Sequence, residues 1–404
     1  ELSAPSQCGK HEEDNADGKD RGRCVDFLVD EIDNCGDGQQ CDKKIEHLKI
    51  LLLVITNYFS NLTPPMPSVA FSPTRTMGVM QIDDLLDRSH VVSLPLAVKF
   101  RGITRREALL IEGPQGWGEF APFLEYGPEE SARWLAAGIE AAYEGFPEPV
   151  RELIEVNGTI PAVPAEQVPE VMARYPGCRT FKIKVAEKGQ TLEDDVARVA
   201  AVRAHIEAQG RVPVLRVDAN CGWSVDEAVT AAKELMPLDY MEQPCRSVEE
   251  LAEVRRQLMR AGIFVRVAAD ESIRKATDPY RVAELHAADV AVVKPAPLGG
   301  VRKVLAVAKH LRERHMDITV ASALDTSVGI SMGLAAVAAL PQIYDDEDVD
   351  VTPAAAGLAT GSLFLEDVTA PRELIDGHLR AAALTPDPAR LAALAAPAER
   401  RDWW

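Results

Sequence analysis

Phe181-Lys182-Ile183-Lys184-Val185 alternates apolar and basic residues and opens a series of short apolar runs, each ending on a charged side chain. Val214-Leu215-Arg216-Val217 leads into Asp218, and Leu238-Asp239-Tyr240-Met241 leads into Glu242. Phe264-Val265-Arg266-Val267-Ala268-Ala269 leads into Asp270, and Val290-Ala291-Val292-Val293 leads into Lys294. From Lys184 onward the charged residues follow at steps of 34, 24, 28 and 24 positions. A parallel strand with its crossover helix and two loops takes about 25–35 residues, so these steps read as consecutive strand–helix repeats. In a closed barrel the carboxyl ends of successive parallel strands converge on one mouth. A doubly wound sheet would concentrate polar groups at a single crevice instead. The spacing therefore predicts an α/β fold built on a TIM-like barrel.

The segments between the runs have helical character. Leu192, Val196, Val199 and Val202 recur at near-helical spacing within 191–209. Ser224 with Glu227, and Ser247 with Glu250, have the spacing of a capping box, in which the serine and the acid satisfy each other's orphan backbone donors. Further helices are expected over 301–314 and 327–340. Residues 77–150 read as a small α+β region, with strands at 91–100 and 107–112 and an amphipathic helix at 128–143. The Ala-rich stretch 379–404 is expected to pack back on that region as a helix. The resulting division is an appended segment at 1–76, a capping domain at 77–150 joined by 379–404, and a catalytic barrel at 151–378.

Composition narrows the function classes. The net charge of −19 disfavours nucleic acid and anionic membrane surfaces as partners. The longest apolar stretch, 50–55, is far short of the about 20 residues needed to span a bilayer. Cys178, Cys221 and Cys245 are spaced as isolated thiols of a reducing compartment, which points to a cytoplasmic enzyme acting on a small molecule. Oligomeric state is not derivable from these residues.

The first 76 residues differ. They hold Cys8, Cys24, Cys35 and Cys41, an acidic stretch at 12–20 and an Asn61-Leu62-Thr63 sequon. No signal-peptide pattern is expected at residue 1, and the two calcium-loop look-alikes fail because Cys24 and Lys44 stand where the loop needs glutamate. The cysteines lack a Cys-x-x-Cys pair, which disfavours zinc. A helix at 41–59, a Pro-rich linker at 64–73 and a natural start at Met77 complete the reading. The segment is taken as an appendage of unknown role, and one alternative makes the barrel a scaffold that displays it.

Three carboxylates, Asp218, Glu242 and Asp270, facing Lys182, Lys184 and Lys294 make a set suited to removing a proton from carbon beside a carboxylate. Carboxylate oxygens suit a hard divalent cation with open positions. Each piece alone has a plainer use: a strand-end aspartate is commonly a helix cap, and Gly299-Gly300 is commonly a turn. The set in this order outweighs those uses.

At these residues the chain resembles the enolase superfamily, in the group related to muconate cycloisomerase, and within it the o-succinylbenzoate synthase family of actinobacterial type. The resemblance covers about 77–404. It rests on Gly116-Trp117-Gly118-Glu119-Phe120-Ala121-Pro122, Lys182-Ile183-Lys184 and Asp218-Ala219-Asn220. It rests also on Glu242-Gln243-Pro244, Asp270-Glu271-Ser272, and Lys294-Pro295 with Gly299-Gly300. It implies a (β/α)7β barrel under an N-terminal capping domain. It implies one Mg2+ on Asp218, Glu242 and Asp270, with Mn2+ able to substitute. The implied reaction is dehydration of 2-succinyl-6-hydroxy-2,4-cyclohexadiene-1-carboxylate to o-succinylbenzoate through an enediolate, a step of menaquinone biosynthesis.

In that reaction Lys184 is expected to take the α-proton and pass it to the leaving hydroxyl, and Lys294 to stabilise negative charge from the opposite side. Lys182 would supply positive charge that helps keep the base neutral. Ser322, Gly299 and Gly300 are expected to hold the succinyl carboxylate, Asn220 to orient a ligand, and Arg101 and Arg106 to serve a lid near 100–106. N-acylamino acid racemases and dipeptide epimerases of the group share the lysines. The epimerases carry Asp-x-Asp at the eighth strand, where Gly357-Leu358-Ala359-Thr360-Gly361 has none; Asp348-Val349-Asp350 lies earlier, in an acidic run.

Overall fold

The computed structural model describes residues 82–100, 102–274, 279–343 and 353–404. The expectations for residues 1–76, Met77, Arg101 and the Asp348–Asp350 triplet lie outside the described residues.

Three strands form an antiparallel sheet in the order β1 (Ser89–Phe100), β2 (Ile103–Gly113) and β3 (Gly116–Phe120). Helix Pro128–Ile139 packs on it, starting with proline in its first turn, where the missing N–H costs nothing. Its Trp134 is 1% exposed. The helix continues as a π-helical turn, Glu140–Glu144.

β4 (Leu153–Glu155) leads into the barrel. Seven parallel strands follow in sequence order: β5 (Gly158–Ile160), β6 (Thr180–Lys184), β7 (Val214–Asp218), β8 (Tyr240–Glu242), β9 (Arg266–Ala269), β10 (Val290–Val293) and β11 (Asp317–Val320). The eighth position is held by backbone bridges alone. Ala356 bridges Val156 and Gly357 bridges Ala321, both in the parallel sense. Asn157 N donates to Ala356 O at 2.9 Å and Gly357 N donates to Val320 O at 2.8 Å, so the ring is closed. The closing contact is made by Ala356 and Gly357, so it overlaps the expected stretch only at its first residue, and Thr360–Leu363 is a 3-10 turn rather than strand.

The crossover helices stand where their caps put them. Thr191, Ser224 and Ser247 each form a reciprocal capping box with Asp194, Glu227 and Glu250. These open helices Leu192–Glu207, Val225–Leu235 and Val248–Ala261. Helices Val301–Arg312 and Ser327–Ala339 complete the shell. The stretch after residue 378 is not one helix. It forms β12 (His378–Arg380), paired antiparallel with β4, and then the short helices Pro388–Ala393 and Ala398–Trp403. Pro386, Pro388 and Pro397 interrupt any longer run, because proline inside a helix removes a donor and clashes with the preceding turn. The segment does lie against β1 and β2: Ser93 N donates to Leu394 O, and Arg400 and Trp404 both donate to Glu107.

Strand alternation sorts the barrel residues into two sets. Phe181, Ile183, Leu215, Val217, Met241, Val267, Val293 and Val320 belong to the large apolar layer. A separate small cluster of Tyr240, Ala268, Val290, Val292 and Ala321 fills the barrel interior. Lys182, Lys184, Asp218 and Glu242 share the parity of that interior set along their strands. Lys184 pairs in register with Asp218, Asp218 with Glu242, and Glu242 with Ala268, so three of the expected site residues stand in one hydrogen-bonded row at the mouth. No helix among the described residues is long and apolar enough to cross a membrane.

Candidate active site

The row is stitched to its neighbours. Asp218 ends β7, and the chain then turns through Asn220 and Cys221, both with left-handed backbone at φ 43° and 65°. That turn lets Asn220 N donate to Asp218 Oδ1 at 3.1 Å. It also brings Asn220 Oδ1 to the Lys184 ammonium, which donates to it at 2.7 Å. Gln243, likewise left-handed at φ 37°, is buried between two strand ends. Its Oε1 accepts from Asp270 N and Ser272 N, and its Nε2 donates to Ser272 Oγ and Cys245 O. Glu242 and Asp270 are thus fixed to each other through one amide side chain.

Charges meet here at short range. Lys182 Nζ lies 2.9 Å from Asp218 Oδ2 and 2.8 Å from Glu242 Oε1. Lys294 Nζ lies 2.7 Å from Asp270 Oδ2, and Arg274 Nε lies 3.2 Å from Asp270 Oδ1. Burial opposes every charged form, and the partners decide the outcome. Lys182 is held well above its ordinary range because Asp218 and Glu242 outweigh its burial. Asp218 is lowered against its burial by Lys182 and Lys184. Asp270 is lowered against its burial by Lys294 and Arg274. Glu242 moves the other way, because burial and the neighbouring Asp218 and Asp270 outweigh Lys182.

The carboxylates do not meet around a common centre of their own. Among the described residues no three His, Cys, Asp or Glu side chains stand so as to hold an ion. The Lys182 ammonium sits between Asp218 and Glu242, where mutual repulsion of two buried carboxylates would otherwise stand unrelieved. Other features do fit a divalent cation. The donor set is all carboxylate, and two of its oxygens are buried and accept no hydrogen bond: Asp270 Oδ1, which the Arg274 guanidinium faces, and Glu242 Oε2. A buried acceptor left in that state is costly unless something positive faces it.

Substrate-binding expectations divide. Ser322 follows β11; its Oγ pairs with Thr360 Oγ1 at 2.8 Å, and its N donates to Gly357 O. Gly300 faces the chain's own Glu140: an added Cβ would lie 2.0 Å from Glu140 Oε2. Arg302 N donates to Glu140 Oε1 at 3.2 Å, so a carboxylate already fills the start of helix Val301–Arg312 and Gly300 is not a free anion cradle. Gly299, at φ 95°, has no comparable obstruction. Arg106 is not a lid arginine either. It is 3% exposed, donates to the carbonyls of Ala121, Pro122 and Leu324, and lies 4.3 Å from the Phe123 ring centroid. Sequence reasoning missed Thr360, Gln243 as a side chain, and Arg274. Gln243 sits inside the Glu242-Gln243-Pro244 motif and Arg274 two residues beyond Asp270-Glu271-Ser272, but only coordinates reveal their partners. The thiols of Cys178 and Cys245 are buried and pushed up to about 12 by that burial, which favours the protonated thiol over a nucleophilic thiolate.

Two domain families match the chain: one described as enolase C-terminal domain-like over residues 165–385, the other as enolase N-terminal domain-like over 91–142. The chain belongs to the enolase superfamily. The o-succinylbenzoate synthase of Mycolicibacterium smegmatis is 55% identical over 332 residues, 81% of this chain and 96% of that protein. That of Mycobacterium leprae is 54% identical over 326 residues, 80% of this chain and 91% of that one. The muconate lactonizing enzyme of Pseudomonas putida superposes with a TM-score of 0.60 at 22% identity, covering 76% of this chain and 98% of that structure. At that identity the likeness establishes the fold alone, and it agrees with the closed barrel and cap seen here.

Proposed function

We propose that this chain is a divalent-metal-dependent carbon–oxygen lyase that dehydrates 2-succinyl-6-hydroxy-2,4-cyclohexadiene-1-carboxylate to o-succinylbenzoate. One observation carries the substrate: relatives bearing that activity's name match at 52–55% identity over more than nine-tenths of their own length. The site chemistry agrees with it. Asp218, Glu242 and Asp270 would hold the ion, with Mg2+ the ion of choice for hard carboxylate oxygens. When bound, the ion supplies fixed positive charge opposite the charge that develops on the substrate carboxylate.

The chain's own residues do the rest. Lys184 removes the α-proton and returns it to the departing hydroxyl, so one group serves as base and then acid and no net proton is lost. Asn220 Oδ1 holds the Lys184 Nζ in place. Lys294 lies two strand-ends beyond Glu242 around the mouth, and its ammonium offsets negative charge from that side. Lys182 would contribute a second positive charge, and an ion held by Asp218 and Glu242 would share the oxygens that its ammonium contacts. Ser322 and Thr360 offer a hydroxyl pair for the distal carboxylate of the succinyl arm.

Rates measured with Mg2+ on the cyclohexadiene carboxylate and on N-succinyl amino acids test the assignment. Dehydration should exceed racemisation. The reverse ratio would replace the lyase with a racemase that uses the same lysines.

A further inference from the structure

Arg274 is a buried cation to which the reaction assigns no task. It ends the helical turn Glu271–Arg274 that follows Asp270 directly, and it is 3% exposed. A guanidinium in that setting is costly unless each edge of its fork is matched. Three groups face it, two of them as hydrogen-bond acceptors. Nε faces Asp270 Oδ1 at 3.2 Å, Nη2 donates to Glu271 Oε1 at 2.7 Å, and Nη1 donates to Tyr126 Oη at 2.9 Å. The third partner comes from the cap, 148 positions away in sequence.

Tyr126 is itself held firmly. Its ring packs against Phe123, centroids 5.7 Å apart, and against Trp134 at 6.0 Å, and its N donates to Phe123 O. The hydroxyl is therefore a fixed point of the cap aimed at the guanidinium. On the barrel side, Asp270 is gripped at both oxygens, Oδ2 by Lys294 and Oδ1 by Arg274. The Arg274–Asp270 contact is a charge pair without hydrogen-bond geometry, which leaves the lone pairs of Oδ1 available to another cation. Groups that orient a metal-binding carboxylate without touching the metal commonly change its affinity by about 10–100-fold.

From this we infer that Arg274 is a positioning residue that fixes the Asp270 carboxylate for the metal ion, and that Tyr126 sets the position of Arg274, so that the seating of the cap on the barrel governs ion affinity. The inference rests on the metal reading above.

The test uses Mn2+ as probe, with free ion counted by electron paramagnetic resonance, on the full chain, Tyr126→Phe, Arg274→Lys and the double variant. Tyr126→Phe keeps the ring and removes only the hydroxyl. It should weaken Mn2+ binding by about 3–10-fold while lowering the ion-free urea midpoint only by the loss of one buried hydrogen bond, the fold being kept. Arg274→Lys keeps the charge but not the fork, and should fail to restore parental affinity. Adding Tyr126→Phe to it should cause no further loss, because the hydroxyl acts through the fork. Tyr126→Phe binding Mn2+ as the parent does, or losses that add in the double variant, would overturn the inference while the metal reading stands. A parent chain that binds no Mn2+ would overturn both. If Arg274→Lys does not fold, the Tyr126→Phe comparison decides alone.

Discussion

The Lys184 ammonium donates to Asn220 Oδ1 at 2.7 Å across 36 positions of sequence. The contact exists because Asn220 adopts a left-handed conformation that turns it back over the end of β7. A base that must reach one carbon atom needs its nitrogen restrained, and misplacement of a reacting group by about 1 Å can cost 100-fold. Asn220→Ala should therefore lower kcat by about 10–100-fold with a much smaller change in KM. Steady-state kinetics on the cyclohexadiene carboxylate check it, and a kcat within twofold of the parent would remove Asn220 from this role.

In the proposed site Lys182 and the metal ion would compete for the same oxygens of Asp218 and Glu242. Replacing Lys182 with Met removes the ammonium from between Asp218 and Glu242 and leaves two buried carboxylates facing each other. Breaking a buried pair by removing one partner costs about 3–5 kcal/mol. The ion-free variant should be destabilised on that scale, and Mn2+ should recover more stability in it than in the parent. Thermal unfolding with and without Mn2+ measures both effects. Equal stabilisation of the two proteins would contradict the competition.

Gly300 and Glu140 make a contact between cap and barrel that any side chain would break. The glycine sits at φ 121°, and a Cβ there would fall 2.0 Å from the Glu140 carboxylate. Gly300→Ala should cost about 2–4 kcal/mol in denaturant unfolding, from backbone strain and the displaced carboxylate together. A loss under about 0.5 kcal/mol would show that Glu140 moves aside freely.

Glu119, on β3, is buried against the start of helix Ser327–Ala339, where Thr326 N, Thr326 Oγ1 and Gly329 N all donate to it. Burial and the nearby Asp325 nonetheless outweigh those donors and raise its pKa to about 8. The folded state therefore holds a proton that the unfolded chain releases near 4.5, the ordinary glutamate value. The stability this brings is full below that value and is lost as pH rises through about 8. Glu119→Gln cannot titrate, so its stability relative to the parent should climb by about 3–4 kcal/mol between pH 5 and 8. Urea midpoints at several pH values give the slope, and a flat difference would refute the shift.

Much of this was legible in the sequence because strand periodicity and capping chemistry are local. The runs ending on Lys184, Asp218, Glu242, Asp270 and Lys294 became strands in parallel order, and Ser224 and Ser247 capped the helices expected of them. The C-terminal stretch failed as a single helix because its alanines were weighed without its prolines. The eighth barrel position was blurred because two backbone bridges leave no alternating pattern to read. Partners of long side chains were not legible at all. Nothing near Arg106 announces the carbonyls of Ala121 and Leu324, and nothing near Gly300 announces Glu140, since those contacts depend on how cap and barrel meet. Nor did the sequence announce that the Lys182 ammonium lies between Asp218 and Glu242 while Asp270 is held by Lys294 and Arg274.

The most direct measurement is o-succinylbenzoate formed in Mg2+ by the parent chain and by Lys184→Ala, beside the Mn2+ affinity of each. The account predicts product from the parent alone, no product from the parent after the metal is chelated, and Mn2+ bound by both proteins. Product formed by Lys184→Ala at a rate near that of the parent would contradict it.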